Sequence, residues 1–316
     1  MPDAIGDVCM IAAALLLSAI AGAPPTCAHP AATQQSDAPM PGVRHVFQNG
    51  ERYPLRLFWI DPQGRKIDQG SIAPGAYLSV QTFVGHAFEL TDPAGRCRSS
   101  VRIGDAFTGT YLGTSRYRSV AVSAGWHVFI DQALRPDAEP ARAALDTIAR
   151  MLQQVDATLP AASLLQVRAT PIFLLDHSGS SQMFHRDPDW LTAHGRTVEM
   201  LDGIEVSDAG LFVESAKVQP GSLLHELAHA YYSRLADKDR AEIEHVYRTA
   251  MESGRYRSVK RHDGTVGEAY ARSNAAEYFA ELSEAHFGRN DFFPFTRAEL
   301  IAYDPAGERM IAALWR

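Results

Sequence analysis

The chain is predicted to fold as a multidomain protein, a small antiparallel β-sandwich followed by an α+β domain with a mainly helical C-terminal half. Three observations lead there. Residues 43–104 hold short β-rich runs separated by turn signals. Residues 115–215 alternate strand-like and helix-like patterns, and from Val218 onward helical periodicity dominates. A length of 316 residues suits about two domains, at roughly 100–200 residues each.

Val8 to Ala23 is an apolar run of 16 residues, shorter than the ~20 needed to span a bilayer. It suits the apolar core of a secretory signal, with Ala21-Gly22-Ala23 as a small-residue cleavage pattern. Asp3 and Asp7 stand where basic residues are usual, and Met10 offers an alternative start. The expectation is a signal peptide over 1–23, a Pro/Ala/Ser-rich linker over 24–42 and a secreted or periplasmic product. No other run approaches spanning length, so no membrane span is expected in the mature chain.

Within 43–110 the strand runs are VRHVFQNG, LRLFWID, AYLSVQTFVG and HAFELTD. Asn49-Gly50, Pro62-Gln63-Gly64, Pro74-Gly75 and Pro93-Ala94-Gly95 break them. A Gly/Thr/Ser-rich connector covers 104–119. The second domain, 115–316, opens with an expected strand at 120–131 and a helix over 136–157, with Ala144, Ile148, Leu152 and Val155 on one face. Strands are expected at 164–176 and at 210–215 (GLFVES), with a polar loop between them.

Thirty Lys and Arg against 37 Asp and Glu give a formal charge of -7 without a basic block, so electrostatics offer no case for nucleic acid. Three cysteines are too few for a disulfide framework. Cys97 reads as a small buried residue or a free thiol.

Residues 223–232, LLHELAHAYY, carry the chemistry. His225 and His229 are four apart, so on a helix they share a face and both imidazoles reach one metal ion. Glu226 beside them serves in this motif as a general base toward a water, not as a ligand. Ser222 is placed to cap the helix. Catalytic zinc usually takes a third protein ligand. A glycine and then a histidine at the metzincin positions are absent, because Tyr232 and Leu235 stand there. His245, Glu252, His262, Glu268, Glu277, Glu281 and His286 remain open as the third ligand. Among them Asn274-Ala-Ala-Glu277-Tyr-Phe-Ala-Glu281 stands out as a helical stretch with Asn274, Glu277 and Glu281 on one face. Such a cluster supplies both a ligand and the carboxylate that a metal-bound imidazole wants at its other nitrogen.

LLHELAHAYY, Tyr270 and NAAEYFAE together resemble the zinc-peptidase family typified by anthrax lethal factor, over roughly residues 205–290. In that family a tyrosine lies seven residues before a glutamate on a distant helix, as Tyr270 lies before Glu277. The resemblance implies a zincin-like fold of the gluzincin kind and one Zn2+ per chain held by His225, His229 and Glu277. Glu226 would activate water, Tyr270 would donate to the developing oxyanion, and Glu281 with Asn274 would support the ligands. GLFVES, before the zinc helix, is placed to be an edge strand that pairs with extended substrate.

Residues 43–105 are similar to the β domain of the von Hippel–Lindau family, through LFWIDPQG, Pro74-Gly75 and TFVGH. That resemblance implies a peptide-binding face carrying Trp59, Thr82 and His86. The expected function is therefore a secreted zinc metallopeptidase acting on a peptide or protein, with a β-sandwich for recognition. The alternatives are a peptide-binding protein with an inactive zincin-like domain, and a zinc hydrolase of non-peptide amides.

Overall fold

The structure, a computed structural model, describes residues 42–104, 108–177 and 182–316. The expected signal peptide and almost all of the linker lie outside them. A β-rich N-terminal region leads into a helical C-terminal half. No helix among the described residues is long and apolar enough to cross a membrane.

Seven strands build the N-terminal part: β1 (Gly42–Asn49), β2 (Leu55–Ile60), β3 (Lys66–Ile72), β4 (Tyr77–Phe83), β5 (Ala87–Thr91), β6 (Cys97–Arg102) and β7 (Gly109–Leu112). They form two sheets, ordered β4-β1-β7 and β3-β2-β5-β6. Period-two alternation sends Phe47, Leu55, Leu57, Phe88 and Leu90 into one core between the sheets. The sandwich is not wholly antiparallel, because β1 pairs with β7 in parallel. The parallel partner comes from within the expected connector. A chain that leaves one sheet through β6 has room there to return beside β1, and Gly109 is required because a Cβ would strike the carbonyl of Val198 at 1.7 Å. Cys97 is disulfide-bonded, so the free-thiol expectation is corrected.

The second part holds β8 (Tyr117–Val120), β9 (Val128–Asp131), α1 (Ala141–Thr158), α2 (Ala161–Arg168), β10 (Ile172–Leu174), β11 (Gln182–Phe184), α3 (Pro188–Ala193), β12 (Ile204–Val206) and α4 (Ala209–Ser215). Helices α5 (Ser222–Arg234) and α6 (Asp237–Glu252) follow. A small hairpin of β13 (Val259–Lys260) and β14 (Val266–Gly267) comes next, then α7 (Ala275–Phe287), α8 (Arg297–Tyr303) and α9 (Pro305–Leu314). The sheet order is β11-β12-β10-β9-β8. Its three central strands are parallel, and both edge strands run antiparallel to their neighbours.

Three strand expectations are corrected. The run 120–131 holds only the last residue of β8 and then β9, since Gly125 at φ +80° turns the chain between the two strands. The run 164–176 is helix α2 and then only three strand residues. Leu165 stays 71% exposed while Val167 is buried, a helical rather than an alternating arrangement. GLFVES is helix α4. Asp208 caps it, its Oδ1 accepting from the Leu211 N–H at 2.8 Å, and Phe212 alone of the apolar trio is fully buried.

The two parts are packed together. Val46 of β1 and Tyr77 of β4 join Tyr117, Phe129, Phe173 and Leu201 in one apolar cluster. Gln48 accepts from the Val198 N–H at 3.0 Å, and the Tyr77 hydroxyl donates to Asp189 at 2.6 Å.

Candidate metal centre

Helix α5 forms because one face is apolar throughout. Leu223, Leu224, Leu227, Ala228 and Tyr231 are buried, which leaves His225, Glu226 and His229 along the opposite edge. Gly221, not Ser222, sits at its N-cap; Ser222 is the first helical residue. The Ser222 Oγ is buried without a hydrogen-bond partner among the described residues. Helix α7 crosses α5. Its start is fixed by Asn274, whose Oδ1 accepts from the N–H groups of Ala276 and Glu277, both at 2.9 Å. Tyr278, Phe279, Leu282 and Ala285 bury the rest of α7.

This crossing brings three donors to one point. The Glu277 Oε2 lies 3.0 Å from His225 Nε2 and 3.2 Å from His229 Nε2. The three ligand atoms all lie within 4.8 Å of one another. Bonds of about 2.0–2.1 Å around a tetrahedral ion place neighbouring donors about 3.3 Å apart, close to the two distances from Glu277. Of the seven side chains left open as third ligand, Glu277 is the one that joins both histidines. A second group, His225 with Glu281 and Glu284, shares the first imidazole.

The same groups perturb one another's titration. Burial pushes the Glu277 carboxyl up, but the two imidazoles outweigh it and hold it at about 2. Burial pulls His225 down, yet hydrogen bonds with Glu277 and Glu284 carry it well above its ordinary value. Burial raises both Glu281 and Glu284, and each feels the negative charge of Asp291 nearby. Carboxylates thus crowd a pair of imidazoles.

A cleft of about 700 Å³ opens over these residues. One wall is strand β11, through Gln182, Met183 and Phe184; another carries Tyr270, Asn274 and Glu277. Glu226 reaches across to β11, its Oε2 accepting from the Phe184 N–H at 2.8 Å. Tyr270 is 48% exposed, and its ring lies 6.1 Å from that of His225. Burial first, and then the charge of Glu277, raise its phenol above the ordinary value.

The two expected supporting residues do different things. The Asn274 side chain supports Glu277 as a helix cap, through the Glu277 backbone N–H. Glu281 is buried and accepts from Asn290 at 3.1 Å, while its Oε1 stays 3.8 Å from His225 Nδ1. The carboxylate that bonds Nδ1 is Glu284, at 2.8 Å. Sequence reasoning missed it. The signal was present, since Glu284 follows Glu277 by seven residues and therefore lies on the same helix face. The edge strand beside the cleft was also misplaced: β11 fills that position, and α4 does not.

On the sandwich, Trp59, Thr82 and His86 do come together. Trp59 and His86 rings are 5.1 Å apart, and Thr82 Oγ1 is 3.1 Å from His86 Nδ1. Phe83 beside them is 41% exposed.

No protein-family model matches the chain, and no curated protein matches it at a significant level.

Proposed function

We propose that the protein is a secreted zinc metallopeptidase of the gluzincin kind, with a zincin-like fold in its second part. One observation carries the reading: His225, His229 and Glu277 converge at metal-ligand spacing beneath a cleft that also holds Glu226 and Tyr270. Bound zinc would polarise a carbonyl and make a water acidic enough to ionise near neutral pH.

The chain's own residues supply the rest. Glu226 is the base that takes a proton from the attacking water and returns it to the leaving amine. The Tyr270 hydroxyl, exposed at the cleft, donates to the oxygen on which negative charge grows. Strand β11 is an edge of its sheet and lines the cleft, so an extended peptide can add to it as a further strand. On this reading the Trp59, Thr82 and His86 face of the sandwich binds a peptide or protein. A disulfide-bonded Cys97 suits an oxidising compartment.

The test is digestion of an unfolded protein mixture by the zinc-supplemented full chain, followed by mass spectrometry of new termini. Peptide-bond cleavage that a chelator stops and zinc restores supports the reading. Absence of new termini, with cleavage of small amides instead, would favour a non-peptide amidase.

A further inference from the structure

Helix α7 turns three carboxylates, Glu277, Glu281 and Glu284, toward α5, and they meet His225 differently. Glu277 approaches Nε2 at 3.0 Å. Glu284 Oε1 approaches Nδ1 at 2.8 Å, whereas Glu281 Oε1 is held off at 3.8 Å and Glu281 Oε2 accepts from Asn290. An imidazole that binds a metal through one nitrogen carries a proton on the other, and that N–H needs an acceptor to fix the ring. Glu284 is the carboxylate within bonding range.

Gly221 explains how Glu284 fits. Its backbone, at φ -87° and ψ -8°, is right-handed and open to residues with a side chain, so the conformation does not demand glycine. A Cβ at that position would lie 2.2 Å from Glu284 Oε2 and 3.0 Å from the Arg289 carbonyl oxygen. The missing side chain leaves the space that the Glu284 carboxylate occupies.

We propose that Glu284, seated against Gly221, is the positioning residue that holds His225 with Nδ1–H toward α7 and Nε2 toward the metal position. The proposal rests on the zinc reading of the site. Glu281, four residues after Glu277, does not fill this role, and its buried carboxylate is committed to Asn290.

The experiment is zinc affinity of the full chain by chelator competition, together with the His225 Nδ1–H proton resonance of the zinc-loaded protein. Glu284→Ala is expected to weaken zinc by about 10–100-fold and to abolish the slowly exchanging resonance. Glu284→Gln retains an acceptor oxygen and should fall between Ala and wild type. Glu281→Gln should cost less than Glu284→Ala. Gly221→Ala should also weaken zinc, by pushing Glu284 off Nδ1. Because both variants break one interaction, Gly221→Ala/Glu284→Ala should bind zinc no more weakly than Glu284→Ala alone. Should Glu284→Ala fail to fold, the Gln and Gly221→Ala variants still decide the matter. A wild-type chain that binds zinc while these variants bind it equally well overturns the proposal and leaves the zinc reading intact. Losses that multiply in the double variant overturn it as well. A wild-type chain that takes no zinc removes both.

Discussion

Glu226 Oε2 accepts a 2.8 Å hydrogen bond from the backbone N–H of Phe184, tying the acid of helix α5 to the edge strand of the sheet. The bond fixes one carboxylate oxygen, while Glu226 stays in the lining of the cleft that holds His225, His229 and Glu277. Glu226→Gln can keep this bond through its amide oxygen but has no basic oxygen for water. It should abolish hydrolysis while still binding one zinc, read by peptide cleavage and by metal content. Undiminished cleavage would show that the base lies elsewhere.

Tyr270 has one expected job, donation to the oxyanion. Tyr270→Phe should lower turnover by about 10²–10³, as loss of a single such donor does in other enzymes. With the side chain 48% exposed, stability should stay within about 0.5 kcal/mol. An unchanged turnover number on the same substrate would make Tyr270 a packing residue.

Asn274 holds the first turn of the helix that bears Glu277. Asn274→Ala frees two backbone N–H groups and should cost about 1–2 kcal/mol in urea unfolding, with weaker zinc binding because Glu277 N–H is one of the two. Asn274→Asp should retain both properties. A neutral Asn274→Ala would mean that packing alone sets the start of α7.

Glu205, on the strand that pairs with β11, sets a pH dependence of stability. Burial pushes its carboxyl up from the ordinary 4.5, but hydrogen bonds from His185, Arg196 and Ser207 outweigh burial and hold it at about 2. A depressed folded-state value means stability that is present in full above about pH 4.5 and is lost as pH falls toward 2. The gap corresponds to about 3 kcal/mol. The stability difference between wild type and Glu205→Gln, measured by urea unfolding, should therefore be largest near neutral pH and shrink between pH 4.5 and 2. A difference that does not change over that range would contradict the assignment.

Much of the site is legible in the sequence because helices convert spacing into direction. His225 and His229 at four residues apart leave little freedom once the apolar face of α5 is buried. Glu277 needed more, since nothing local in the sequence says that α7 crosses α5; the resemblance to a known peptidase family pointed to it. Glu284 lay one turn further along the same face and was passed over for Glu281, because helical spacing does not say which of two adjacent carboxylates a ring nitrogen will meet. That choice is made by Gly221 and Asn290, both distant from Glu284 in any local reading.

Strand β11 could not be read at all. Three residues, Gln-Met-Phe, have no period to detect. GLFVES had the composition of a strand, yet an Asp208 cap and a single buried Phe212 made it a helix. The sandwich showed the opposite bias. Its apolar strands β1, β2, β4 and β5 were plain, whereas the polar edge strands β3 and β6 carry little alternation to mark them.

Zinc content of the purified chain, with protein concentration determined independently, tests the central claim most directly. The account predicts about one zinc per chain, lost in His229→Ala and in Glu277→Ala. A chain that holds no zinc after refolding with the metal would mean that His225, His229 and Glu277 do not form a metal site, and would contradict it.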